Sequence, residues 1–368
     1  MLAQVEASRP LPMSELPRIK RVLVRGANWV GDAVMTIPAL REIRRLFPGA
    51  HIALWTRPAL RGVFRGVEFI DEFLTPEMTS LTRMVRSLRA GKFQLAILFQ
   101  NAFRAAFLVW AARIPIRCGY RTDGRGFLLT HPVKVDGRRR RHQIFYYLEL
   151  VAALERALTG STTVNYVAPD MSLFISPERR ERARVFLVER GVERDKALVI
   201  INPGATNSRA KRWFPERFAA LADRLLERGD VSVAFIGSGD ERSLAERIVA
   251  HMRRRPVVLT GQTDLDRLVE VISCAQVLVS NDTGPAHIGA AVGVPTIVLF
   301  GPTQHEVTRP FSERALVIRH PVFCSPCMRR DCPIDHRCMA AITVDEVYRH
   351  VADVLDAEIA MPVEVASR

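Results

Sequence analysis

Residues 21–40, RVLVRGANWVGDAVMTIPAL, run as a buried strand to Gly26 and then place a carboxylate, Asp32, where a helix should begin. A turn built for phosphate offers glycines and backbone N–H groups at the positive end of a helix, and a carboxylate there would repel an anion. Asp32 therefore serves something other than a phosphate. A second stretch, SNDTGPAHIGAAVGVP, ends a strand on Asp282, Thr283 and Gly284 and continues into a helix of small residues that carries His287. N–H groups opening such a helix suit a diphosphate, although an isolated Asp-Thr-Gly serves equally well as a plain helix cap. Lys211, in GATNSRAKRWFPERF, sits between a strand-end turn and a helix opened by Pro215 and Glu216. From there an ammonium can reach a leaving phosphate.

These residues sit in the turns after strands. Asn202-Pro203-Gly204-Ala205-Thr206, Gly237-Ser238-Gly239-Asp240 and Gly261-Gln262-Thr263 complete a rim of small and polar strand ends. In open α/β sheets ligands bind at the carboxyl ends of the strands, so this rim is where chemistry belongs. The chain has no G-x-x-x-x-G-K-[ST] loop, and no G-x-G-x-x-G follows a strand, which argues against kinases, NTPases and ordinary dehydrogenases.

The elements that must carry the rim are legible as apolar runs alternating with helical stretches. RVLVRG, HIALWT, QLAILFQ and PIRCGY fall in the first half, and ALVIINPG, VSVAFIGSG, PVVLTG, QVLVSNDTG and TIVLFGPT in the second. The alternation predicts an α/β protein with two parallel, helix-covered sheets that face each other across a cleft. A chain of 368 residues, 48% hydrophobic, is long enough for two cores. Ser176-Pro177-Glu178 reads as a helix start, which puts the domain boundary near residue 175: a first domain over 19–175, a second over 176–342. Residues 1–18 read as a flexible tail. Val344, Val347, Val351, Val354 and Leu355 recur at a helical period behind Thr343, giving a closing helix over 343–360.

Charge narrows the partners. Fifty-three basic against 39 acidic residues give +14, and anionic partners follow. Gln100, Arg104, Arg121 and Arg125 stand at strand ends of the basic first half, beside the run Arg138–Arg141. Guanidinium groups grip oxyanions in bidentate fashion, which makes these four residues candidates for an acidic substrate. No apolar run approaches the ~18 residues of a membrane span, and the first residues carry prolines and glutamates unlike a secretion signal, so a cytoplasmic protein is expected. Aromatics amount to 7% and no nucleic-acid-binding signature appears, so no nucleic acid is expected; a non-catalytic nucleotide- or nucleic-acid-binding protein is the remote alternative. Cys324, Cys327, Cys332 and Cys338, spaced C-x2-C-x4-C-x5-C, suit reduced thiols or one structural zinc ion outside the chemistry, ahead of two short disulfides, with an iron–sulfur cluster the remote alternative.

Taken together, WVGDAVMTIPALREIRRLFPGAHI, NPGATNSRAKRWFPERF and VSNDTGPAHIGAAVGVPTIVLFGPT resemble the family 9 glycosyltransferases, the ADP-heptose:lipopolysaccharide heptosyltransferases of Gram-negative bacteria. Trp29 before Val30-Gly31-Asp32, with the cysteine cluster, is most similar to the heptosyltransferase II branch, which adds the second heptose of the inner core; heptosyltransferase I or another family acceptor is the alternative. The resemblance implies the GT-B fold, with the acceptor on the first domain, ADP-heptose on the second, and the closing helix crossing back to the first. It implies that Asp32 is the base of an inverting transfer. It implies too that Thr206, Lys211, Thr263, Asp282, Thr283, Gly284 and His287 hold the donor, with Lys211 meeting the departing diphosphate without a metal and Asp282 on heptose hydroxyls. The acceptor it implies carries Kdo carboxylates and lipid A phosphates, with the enzyme held at the anionic inner face of the inner membrane.

Overall fold

The computed structural model describes residues 19–75, 80–135 and 141–360, with side chains described as far as 357. The expected tail, 1–18, and Arg138–Arg140 lie outside the described residues. Two compact units result: one runs to Arg61 and resumes over Val67–Met171, the other takes Gly62–Gly66 and the chain from Ser172. The division thus falls a few residues before the expected position, and the excursion at 62–66 had no counterpart in the sequence pattern. Ser176 does cap its helix, accepting from the Arg179 N–H at 3.4 Å, with Pro177 in the first turn.

The first unit contains, in chain order, β1 (Arg21–Arg25), α1 (Val30–Met35), α2 (Ile37–Leu46), β2 (His51–Trp55), β3 (Glu72–Leu74), α3 (Leu81–Ala90), β4 (Leu95–Leu98), α4 (Phe103–Ala111), β5 (Ile116–Tyr120), β6 (His131–Val133) and α5 (Gln143–Thr159). Its six strands are ordered β3-β2-β1-β4-β5-β6, all parallel. The second unit contains α6 (Pro177–Val188), β7 (Ala197–Asn202), α7 (Pro215–Glu227), β8 (Val231–Phe235), α8 (Arg242–Ala250), β9 (Val257–Val258), α9 (Leu265–Ile272), β10 (Val277–Asn281), α10 (Gly284–Ala291), β11 (Thr296–Leu299), α11 (His305–Thr308), β12 (Ala315–Ile318), α12 (Arg337–Ala340) and α13 (Val344–Ala360). Its order, β12-β11-β10-β7-β8-β9, repeats the first and is again parallel.

Central strands are apolar along their length because helices cover both faces of a parallel sheet. β4, LAIL, and β10, VLVSN, are buried throughout. β3, β6 and β12, which the sequence pattern did not announce, are edge strands of three or four residues and only partly buried. α10 lies very close to its sheet: a Cβ on Gly289 would meet Leu278 Cδ2 and Thr296 Oγ1, both at 2.6 Å. That is the tight packing its small residues imply.

The closing helix, α13, buries its stripe Val347, Val351 and Leu355 in the core of the second unit, with Phe218, Val279 and Leu299.

Candidate functional site

Each sheet has one point where the strand order reverses, β1/β4 in the first unit and β7/β10 in the second, and a ligand crevice opens outside the strand ends at such points. Asp32 stands beside the first, and Lys211, Asp282, Thr283 and Gly284 stand beside the second.

In the first unit Asp32 occupies the first turn of α1, half-buried, and the N-cap Trp29 supplies no side-chain cap. The turn before it is braced from below by Arg25, the last residue of β1, which is 4% exposed. Its guanidinium donates to the Gly26 carbonyl at 2.6 Å, the Trp55 carbonyl at 3.2 Å and Asn28 Oδ1 at 2.7 Å. Burial, aided by the charge of Arg57, lowers its pKa to about 10, so it remains a cation at neutral pH. Asp32 also accepts a hydrogen bond from Tyr147 on α5. Burial and the negative charge of Asp32 both push the Tyr147 pKa upward, so this hydroxyl keeps its proton and donates.

The four acceptor candidates separate. Gln100 lies half-buried after β4, and Arg104 and Arg121 are exposed near the ends of β4 and β5. Arg125 is corrected: it is wholly buried, and its guanidinium donates to the Tyr120 and Gln100 carbonyls and to Asn101 Oδ1. These bonds tie the turns after β4 and β5 together and leave Arg125 out of reach of an external carboxylate. Asn101 is also bonded to the Tyr146 hydroxyl, and Tyr146 stacks on Tyr120 at 4.1 Å.

In the second unit Ser280 pairs with Asn202 across the switch, which sets the turn after β7 beside the turn after β10. Asn202 donates to Ser280 Oγ at 2.9 Å and Thr283 Oγ1 at 2.7 Å; Asn281 donates to the Pro203 carbonyl at 2.8 Å. Asp282 is buried, and its Oδ2 receives Lys211 Nζ at 2.8 Å and Thr303 Oγ1 at 2.6 Å. Asp282 is thus the ion-pair partner of Lys211. The simple-cap reading does not hold: Thr283 is the N-cap of α10 and makes no side-chain cap bond. His287, one turn along α10, is buried. Thr206 is exposed, and Thr263 is half-buried next to Asp264, which caps α9; neither takes part in the Lys211–Asp282–Thr303 contacts.

Four contributors escaped the sequence reading. Thr303 and Tyr147 carry no local signal. Arg25 does, as the charge that ends the apolar run Val22-Leu23-Val24. Glu241 does as well: Ser238 and Glu241 form a reciprocal capping box, the S-x-x-E signature. A Cβ on Gly204 would lie 2.1 Å from the Glu241 carboxylate, so a larger residue there would displace that carboxylate.

The cysteine segment is a brace. Cys324, Cys327, Cys332 and Cys338 are unbridged, and among the described residues no three metal-binding side chains converge. Burial and the neighbouring thiols push the Cys338 pKa up. The backbone around them holds the Lys211 turn: the Ala210 N–H donates to the Arg330 carbonyl at 2.9 Å, and His336 Nε2 bonds the Ala210 carbonyl at 2.5 Å. It also holds the Thr303 turn, through Ser325 Oγ to the Gly301 carbonyl at 2.6 Å.

The model of glycosyltransferase family 9 (heptosyltransferase) matches residues 81–338. Lipooligosaccharide heptosyltransferase 2 of Haemophilus ducreyi is 29% identical over 317 residues, 81% of this chain and 88% of that protein. Lipopolysaccharide heptosyltransferase 2 of Escherichia coli is 27% identical over 311 residues, with the same coverage. The solved E. coli ADP-heptose LPS heptosyltransferase II is 25% identical and superposes with a TM-score of 0.81, covering 92% of this chain and 99% of that one.

Proposed function

The chain belongs to glycosyltransferase family 9, the heptosyltransferases, and on that premise we propose that it transfers heptose from ADP-heptose to the inner core of lipopolysaccharide, acting as a heptosyltransferase II. The observation that carries this reading is Lys211 Nζ, 2.8 Å from buried Asp282, beside the uncapped N-terminus of α10 at the switch point of the second sheet. That arrangement suits a diphosphate that gains charge as it leaves, with the Lys211 ammonium beside the helix N-terminus.

The reaction is a single displacement. An acceptor hydroxyl bonds to the anomeric carbon, the bond from that carbon to ADP breaks on the opposite face, and Asp32 takes the hydroxyl proton. Both the helix N-terminus and the Tyr147 hydroxyl favour ionised Asp32 and so weaken it as a base. This is tolerable because the alcohol becomes strongly acidic as the new bond forms, and a late proton transfer needs only a modest base. Lys211, Thr283 and Gly284 meet the departing phosphates, a task that requires no metal. Exposed Arg104 and Arg121, with Gln100, take the Kdo carboxylates and lipid phosphates of the acceptor, and the lipid places this work at the cytoplasmic face of the inner membrane.

The test is mass spectrometry of the acceptor after incubation with ADP-heptose, with and without EDTA. Addition of one heptose to monoheptosylated Kdo2-lipid A alone, unaffected by the chelator, is expected. Addition to unmodified Kdo2-lipid A would mean heptosyltransferase I, and EDTA-sensitive transfer would remove the metal-free mechanism.

A further inference from the structure

α4, FRAAFLVWA, carries one charge in nine residues. A helix this apolar is ordinarily enclosed. Its inner side, Ala106, Leu108 and Val109, does sit in the core of the first unit. Its outer side is also apolar: Phe103, Phe107 and Trp110 fall at i, i+4 and i+7 on one stripe, with Phe103 45% and Trp110 48% exposed. Phe107 and Trp110 lie 5.8 Å apart, and Phe103 is 6.2 Å from Phe127, which is 77% exposed. Single exposed hydrophobic residues need no explanation, but a contiguous aromatic patch does.

Its surroundings are basic. α3 lies against α4, with Arg89 donating to the Ala111 carbonyl at 2.8 Å and Arg104 reaching Met84 Sδ at 3.6 Å. α3 exposes Arg83, Arg86 and Arg89 along one stripe of its own. From residue 78 to residue 122 the chain holds eight lysines and arginines and neither aspartate nor glutamate.

We propose that the α3–α4 face, with the Phe127 turn, is the surface by which this protein seats on an anionic lipid bilayer. Aromatic rings settle at the headgroup level and arginines meet the lipid phosphates. A second copy of the chain fits poorly, because a two-fold contact would set each arginine stripe against its own image. Phe103 follows Gln100 and Asn101, and Phe127 follows Arg125, so the patch adjoins the turns after β4 and β5. The purpose of the surface, delivery of a lipid-borne acceptor, rests on the proposed function; the observations themselves do not.

Full-length protein is sedimented with vesicles of phosphatidylcholine, alone or mixed with phosphatidylglycerol, in the absence of donor and acceptor. Binding to the mixed vesicles is expected, at least roughly tenfold weaker in Arg83→Glu/Arg86→Glu/Arg89→Glu and similarly reduced in Phe103→Ser/Trp110→Ser/Phe127→Ser. Both variants should unfold at the wild-type temperature and retain wild-type turnover on a deacylated, water-soluble acceptor. Equal binding to both vesicle types, or variants that bind as wild type does, would overturn the proposal. So would a wild-type dimer, or capture of single-stranded oligonucleotides, that the same variants lose. Vesicle binding without turnover of the soluble acceptor would support the surface and remove the transferase reading instead.

Discussion

The Lys211 ammonium is already paired in the free protein, so an arriving diphosphate competes with a carboxylate that Thr303 holds in place. Replacing Lys211 by Ala removes the cation and leaves Asp282 buried without its countercharge, beside the phosphates it would repel. Lys211→Ala should therefore weaken ADP binding by calorimetry and lower turnover roughly a hundredfold. An unchanged ADP affinity would mean the ammonium lies off the phosphate path. Arg121 and Arg125 stand four residues apart in RTDGRGF and look alike in sequence, because burial is decided by the sheet and not by the local motif. Arg125→Ala should cost about 3 kcal/mol in urea denaturation, since it strands the carbonyls of two turns. Arg121→Ala should leave stability alone and raise the KM for acceptor.

At the scale of elements, the interior strands of both sheets were legible as apolar runs set by the sheet itself, and one edge strand, β9, was legible through its short run PVVLTG. β3, β6 and β12 were missed because a short edge strand with one face open needs no apolar run. The start of α6 was legible through its cap, Ser176-Pro177-Glu178, and the end of α5 depends on a residue with no such signal. Glu155, buried in α5, accepts from Thr162 Oγ1 at 2.6 Å, from Thr163 N at 3.0 Å and from Arg45 of α2 at 3.1 Å. Burial raises its pKa, but these donors outweigh it and leave the value below the ordinary 4.5. The stabilisation is thus fully present above 4.5 and disappears as the pH falls through the lowered native value. Glu155→Gln should lose about 2 kcal/mol at neutral pH in urea denaturation. Its deficit should shrink progressively below pH 4.5, and a constant deficit would show that the carboxylate charge is not what matters.

For the whole molecule, two copies of one sheet order present different groups at their switch points: a carboxylate at the first, and a cation with a helix N-terminus at the second. That division was readable from Asp32, Lys211 and Asp282 because strand ends are fixed by the fold class. The bracing by Arg125, Tyr147 and the cysteine segment was not, since each acts between turns distant in sequence through contacts that only the folded chain creates. α13 was legible as a helix, and its stripe meets the core of the second unit; an amphipathic stripe says that a core is needed and not which one. The account stands most directly on Asp32 as the base. Asp32→Asn keeps the side-chain shape and an oxygen for the Tyr147 hydroxyl, and removes the proton acceptor. The measurement is turnover of ADP-heptose on monoheptosylated acceptor alongside donor affinity. A loss of roughly a hundredfold or more in turnover with unchanged donor affinity is predicted; wild-type turnover by Asp32→Asn would contradict the mechanism.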